Sequence, residues 1–213
     1  MRDSSIWENG VDFFSGNDIF VLYPSGNICF FKAMVNAMLK APELKILNYL
    51  SLSDNGEGFI PQIARETGLS KGEVSKSMKT LKQGGFVRSR MSGRNMICSV
   101  ERSSHAVIRL RIAFNILEIM PQVAPLRKFS KKIVVFGSCA QGTDTLDSDI
   151  DILVIAADKE KVINMTQKVN LSRAVQWVVK TPQEYVVLIK RGKVFAEEIN
   201  RGILLYEAGD KNS

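Results

Sequence analysis

Four residues in one short stretch have the types and the spacing for phosphate chemistry. In "VVFGSCAQGTDTLDSDIDILVIA", which starts at Val134, Gly137-Ser138 is followed after ten residues by Asp149, any residue, and Asp151. Side chains two apart on an extended segment project to the same face. Asp149 and Asp151 therefore stand together, and two carboxylates that close repel each other unless a cation lies between them. The ion that fits is hard and oxygen-loving, such as Mg²⁺. Gly137 lets an anion approach the backbone, and the Ser138 hydroxyl with nearby N–H groups can hold a phosphate. A metal beside a phosphate cradle is the equipment of phosphoryl or nucleotidyl transfer.

Such a site needs a strand on either side of the Gly-Ser turn and more structure to cover them. "KIVVFG" and "DIDILVIA" read as strands, "KEKVINMTQKVN" as a helix, "RAVQWVVK" as a strand, and "TPQEYVVLIKRGKVFAEEINRG" as one or two helices. This alternation predicts an α/β (α+β) domain with a small mixed sheet over residues 131–213. Before it, "SHAVIRLRIAFNILEIM" is a long apolar helix that Pro121 and Pro125 are expected to break. It forms a linker over residues 104–130 that ends in the basic run "RKFSKK".

Residues 41–103 follow a different pattern. A helix starts near Pro42 with Leu44, Leu47 and Leu50 at threes, and "SDNGEG" ends it. A second, about 61–67, stops at Gly68. Ser70 is the expected N-cap of a third, which runs to about Gln83. "FVRSRMSGRNMICSV" then alternates around a turn, as a hairpin does. Residues 1–40 read as two short strands about Pro24–Asn27 and a helix, "FFKAMVNAMLK". Phe13, Phe14, Phe20, Phe30 and Phe31 need cover from the rest of the chain or from a second copy of it.

The third helix of residues 41–103 offers a second kind of chemistry. Lys71, Ser75, Lys76, Lys79 and Lys82 are its polar positions, while Val74, Met78 and Leu81 form the opposite stripe. Arg88, Arg90 and Arg94 lie on the hairpin. Over residues 41–103, ten Lys/Arg stand against six Asp/Glu, more than half of the chain's net charge of +7. With a pI near 9.4, the chain favours anionic partners. Lysines at such positions meet phosphates, which supplies affinity and salt dependence more than sequence reading.

Two short helices joined by a tight turn and followed by a β-hairpin resemble the winged helix-turn-helix. The resemblance covers about Pro42 to Arg102, and "IARETGLSKGEVSKSMKTLKQGGFVRS" is similar to regulators that insert the third helix into the major groove. It implies a DNA partner contacted by Lys71, Ser75, Lys76, Lys79, Arg88, Arg90 and Arg94. The second helix braces the third through Ile63, Ala64, Leu69, Val74 and Leu81. A winged helix used only for dimerisation or protein contact is the competing reading.

"FGSCAQGTDTLDSDIDILVI" resembles the signature of the nucleotidyltransferase fold typified by DNA polymerase beta, in its minimal prokaryotic branch. The likeness covers about residues 130–209, and "GILLYEAG" is similar to the close of those domains. By this resemblance Gly137 and Ser138 hold a nucleoside triphosphate, ATP above all. Asp149 and Asp151 are the catalytic carboxylates and ligate Mg²⁺, and Asp147 and Ser148 shape the turn. The family moves a nucleoside monophosphate, often AMP, to a hydroxyl and releases pyrophosphate.

Active members carry a third carboxylate on the next strand. Here the polar residue of "AVQWVV" is Gln176, which cannot act as a general base. Glu184, on the following helix, is the nearest other acid. The arginine often found soon after Gly-Ser is also missing, and Cys139 and Gln141 stand in its place. His105 and Cys139 have no partner motif, so neither is expected to be a catalyst.

The expected function is a nucleotidyltransferase attached to a DNA-binding winged helix, with a protein among its conceivable acceptors. The alternative is a non-catalytic, DNA-binding transcriptional regulator whose degenerate domain binds nucleotide or a partner protein, as an antitoxin does. A homodimer is compatible with either. Cys29, Cys98 and Cys139 show no metal-ligand spacing, which suits reduced thiols. No apolar run approaches 18 residues and "MRDSSIWENG" has no signal core, so a cytoplasmic protein without membrane contact is expected.

Overall fold

The computed structural model describes residues 41–53 and 55–209, and the strands and helix expected within 1–40 lie outside them. Helix α1 (Pro42–Leu52) has proline in its first turn and buries Ile46, Leu47 and Leu50. After the short strand β1 (Glu57–Phe59), α2 (Ile60–Thr67) ends at Gly68, whose φ of 68° is the left-handed conformation that closes a helix. Ser70 then caps α3 (Lys71–Gln83) in a reciprocal box with Glu73. Strands β2 (Arg88–Ser92) and β3 (Asn95–Ser99) form the hairpin, and β1 adds to it in the order β1-β3-β2. One core of Leu50, Ile63, Val74, Met78, Leu81, Val87 and Cys98 joins the three helices to this sheet. Strand β1 was not legible in "SDNGEG": three residues carry too little pattern, and pairing with β3 creates the strand.

Helix α4 runs from His105 to Val123 with Pro121 inside it. The expected break there does not occur. Proline removes one N–H from the ladder, but the Ala124 amide again donates to Met120, and buried Ile119 and Val123 hold the helix against the core. Pro125 falls in a 3₁₀ turn, Ala124–Phe129.

Four strands make the second sheet, in the order β6-β5-β4-β7. They are β4 (Ser130–Phe136), β5 (Ile150–Ala156), β6 (Val175–Lys180) and β7 (Ile203–Glu207). The β4–β5 and β4–β7 pairs are antiparallel and β5–β6 is parallel, so the sheet is mixed as expected. Between the strands lie α5 (Gly137–Gln141), α6 (Lys159–Thr166), α7 (Pro182–Arg191) and α8 (Lys193–Asn200). Phe195 and Ile199 of α8 pack on Val134, Phe136 and Leu153, covering one face of the sheet. The described residues fall in one compact unit, which holds both sheets. No helix among the described residues is long and apolar enough to cross a membrane.

Candidate nucleotide site and DNA interface

Strand register brings the acidic pair, the Gly-Ser turn and Gln176 to one end of the mixed sheet. Phe136, the residue before Gly137, lies opposite Asp151 across β4–β5, and Asp151 lies beside Gln176 across β5–β6. Register partners share a face, so Gln176 flanks the Asp151 carboxylate where a third acid was sought. Gly137 has φ of 67°, and a Cβ built on it would overlap Oδ2 of Asp151. Only glycine satisfies both the left-handed backbone and this approach. The turn then winds into the short helix α5, which "GSC" did not announce.

Burial, then Asp149, then Glu198 push the Asp151 carboxyl above the usual carboxylate range. Such a carboxylate is short of a positive neighbour. Among the described residues no group of three or more His, Cys, Asp or Glu is placed to hold a metal. The residues that could hold a cation here are the Asp149 and Asp151 carboxylates, oxygen donors of the kind Mg²⁺ takes. That ion keeps several waters and takes its remaining ligands from phosphate.

Glu184 is not part of this cluster. Its carboxylate accepts from the Thr181 amide at 2.9 Å and pairs with Lys159 at 3.2 Å, which fixes it as the cap of α7. Glu198 was missed in the sequence. Its one signal is its place beside Ile199, the residue that seats α8 on the face carrying Asp151.

Behind the acidic loop lies a buried ionic cluster that the sequence also concealed. Asp144 is fully buried, and its Oδ2 accepts from Arg111 at 2.6 Å and from Arg173 at 2.8 Å. Its Oδ1 accepts from Asn115 Nδ2 at 3.0 Å. Asn115 also donates to the Cys139 carbonyl at 3.0 Å, and Arg173 donates to the Thr145 carbonyl at 3.1 Å. Ser148 shapes the turn as expected, with its hydroxyl accepting from the Thr145 amide at 2.9 Å. Arg173 Nη2 also donates to Cys139 Sγ at 3.5 Å, so this guanidinium lies behind α5 and is held there by Asp144. Burial pushes the Cys139 thiol up to about 11, so it is neutral and unsuited to nucleophilic attack at ordinary pH. The signal available was Arg111 and Asn115, four apart on one face of an otherwise apolar helix.

On the winged helix, Lys71, Ser75, Lys76, Lys79, Arg88, Arg90 and Arg94 are all exposed. Val74, Met78 and Leu81 face the core, and Ile63 and Ala64 of α2 pack there with them. Two cations on this face are engaged within the protein: Arg90 pairs with Glu57 at 3.1 Å, and Lys82 donates to Ser89 at 2.9 Å. Helix α3 is tied to α1 by Ser77 donating to Glu43 at 2.7 Å.

Residues 123–211 match the family model "Polymerase beta, Nucleotidyltransferase", and residues 43–89 match "Bacterial regulatory protein, arsR family". Similar solved structures include reduced HlyU from Vibrio cholerae, at 27% identity over 37% of this chain and 80% of that one, with a TM-score of 0.27. A homodimeric winged helix-turn-helix DNA-binding domain from Mycobacterium bovis shares 24% identity over 49% and 91% of the two chains, with a TM-score of 0.28. A candidate nucleotidyltransferase from Sulfolobus solfataricus shares 20% identity over 47% and 84%, with a TM-score of 0.31. No curated protein matches the sequence. The chain joins an arsR-type winged helix to a nucleotidyltransferase fold.

Proposed function

We propose that the protein is a DNA-binding regulator whose C-terminal segment binds a Mg²⁺–nucleoside triphosphate and transfers its nucleoside monophosphate to a hydroxyl. The observation that carries this is the close approach of Gly137 to Asp151, which sets a bare backbone turn against a carboxylate that burial and two neighbouring acids make costly to ionise. Gly137 and Ser138 would hold the phosphates by backbone N–H and hydroxyl, and Asp149 and Asp151 would hold Mg²⁺. The metal, once bound, screens phosphate charge and offsets the charge that develops on the leaving pyrophosphate. The acceptor oxygen forms its bond to the α-phosphorus as the bond from that phosphorus to the α–β bridging oxygen breaks, this oxygen leaves with pyrophosphate, and the hydroxyl proton passes to a base. ATP is the expected donor and AMP the expected group.

A second reading is supported by Gln176 beside Asp151: the domain binds nucleotide without turnover and reports it to the DNA-binding part. Glutamine cannot take the hydroxyl proton. In either reading α3 and the β2–β3 hairpin contact DNA phosphates, and the match to arsR-type regulators supports a homodimer on DNA. A partner protein remains an acceptor to be tested.

The experiment is incubation of the full chain with α-labelled ATP, Mg²⁺ and cell extract, together with calorimetry of Mg-ATP binding. Label covalently attached to a protein or nucleic acid supports transfer. Binding without attached label supports the sensor, and no binding in calorimetry overturns both readings.

A further inference from the structure

The buried cluster joins the two halves of the chain. Asn48, on α1 of the winged helix, presents Oδ1 to Arg111 Nη1. Four residues further along α1, the Leu52 carbonyl accepts from the Leu146 amide at 3.2 Å, inside the loop that carries Ser148 and Asp149. Arg102, just past the hairpin, donates to the Asp144 carbonyl at 3.0 Å. On the opposite side the same cluster, through Arg173 and Asn115, holds the other parts of the proposed nucleotide site. Arg173 reaches the Thr145 carbonyl, while Asn115 reaches the Cys139 carbonyl in α5.

Two guanidiniums share a single carboxylate in this cluster, with side chains 3% and 7% exposed, so it carries one buried positive charge in excess. A buried charge of this kind is tolerated only while its neutral acceptors stay in place, and losing one acceptor is felt by the whole group. Asn48 is such an acceptor, and it belongs to the winged helix. Helix α1 also binds α3, the helix that faces DNA, through Glu43 and Ser77.

We propose that the Asn48–Arg111–Asp144–Arg173 cluster couples the winged helix to the loop bearing Ser148 and Asp149, so that occupancy at one end changes affinity at the other. Arg111 and Arg173 are positioning residues for the phosphate and metal ligands, and Asn48 is the handle by which the winged helix reaches them. Coupling of this kind is reciprocal: nucleotide shifts DNA affinity by the factor by which DNA shifts nucleotide affinity. The identity of the two ligands rests on the function proposed above, whereas the mechanical link does not.

The test uses the full chain and two arms. In the first, without ligand, hydrogen exchange is read at the Thr145, Leu146 and Ser148 amides. Asn48→Ala should speed exchange there about fivefold or more, within the usual range of coupling between sites. Asn48→Asp, which keeps the acceptor oxygen, should restore protection. Ser77→Ala removes one winged-helix hydrogen bond outside the cluster and should leave those amides unchanged. Asn48→Ala confined in its effect to α1, or matched by Ser77→Ala, overturns the coupling. If Asn48→Ala does not fold, Asn48→Ser, whose shorter side chain withdraws the acceptor from Arg111, is set against Ser77→Ala: faster exchange at those amides in Asn48→Ser alone supports the link, and equal exchange in both overturns it. In the second arm the affinity for a random-sequence duplex is measured with and without saturating Mg-ATP. A shift of about fivefold in the wild type that is lost in Asn48→Ala supports the proposal, and an equal shift in both overturns it. Should the duplex or Mg-ATP fail to bind at all, the proposed function falls while the first arm still judges the link.

Discussion

Gly137, which follows the register partner of Asp151, lies so close to that carboxylate that a Cβ on the glycine would overlap Asp151 Oδ2. The glycine thus has a double reason, its φ of 67° and this approach. Gly137→Ala is expected to cost about 1–3 kcal/mol from backbone strain, with a further loss of Mg-ATP affinity as Asp151 is displaced. Thermal unfolding paired with calorimetry checks both. A variant as stable and as tight-binding as the wild type would remove Gly137 from the site.

Asp151 should make the metal-free protein less stable near neutrality. Burial, Asp149 and Glu198 raise its folded pKa above the unfolded value, so the fold prefers the protonated form. The stability linked to that proton is present below the unfolded pKa and is lost as pH rises through the folded one. Asp151→Asn is therefore expected to raise the Tm of the apo protein at pH 7 by about 2 °C. The gain should shrink in acid, and Mg-ATP should shrink it too, because only the wild type gains from the ligand. A destabilised Asp151→Asn at pH 7 would contradict this account.

If α3 and the hairpin meet phosphates, DNA affinity should fall steeply with salt, and each lost contact should lower the log–log slope by about one. Lys76→Ala with Lys79→Ala should flatten it most. Arg90→Ala should change it less than Arg94→Ala, because Arg90 already pairs with Glu57. Fluorescence anisotropy across a salt series measures the slopes. Slopes equal in all variants would assign this face to protein contact.

Gln176 separates the enzyme from the sensor. Placing an acid beside Asp151 with Gln176→Asp supplies a base, and general-base assistance is worth about 10²- to 10⁴-fold. Three neighbouring carboxylates repel without a cation, so folding is checked with Mg²⁺ present. Transfer that rises in Gln176→Asp identifies a site that lost its base. Strong wild-type transfer abolished by the change shows that the glutamine serves a working site.

Most of the longer elements and the acidic motif were legible in the sequence, while the short β1 and α5 were not. Local signals carry the legible ones: proline and glycine at helix ends, Ser70 and Glu73 three apart, and the short apolar runs of β4 and β5. Spacing put Asp149 and Asp151 side by side at the mouth of β5, whereas strand pairing set Asp151 beside Gln176 and brought Gly137, at the start of α5, against it. Tertiary structure decided what spacing cannot encode. Asp144, Arg173 and Asn48 are far apart in sequence and look like ordinary polar residues, and only packing takes them out of water and makes each indispensable to the others. Glu198 likewise gained its influence on Asp151 because α8 folds back over the sheet. Glu184, the acid nearer in sequence, was claimed by a helix cap and Lys159. Pro121 stayed helical because the buried apolar residues around it outweigh one missing hydrogen bond. A long-range charge balance of this kind is a property of the folded interior, where the dielectric is low and every partner must come from another part of the chain.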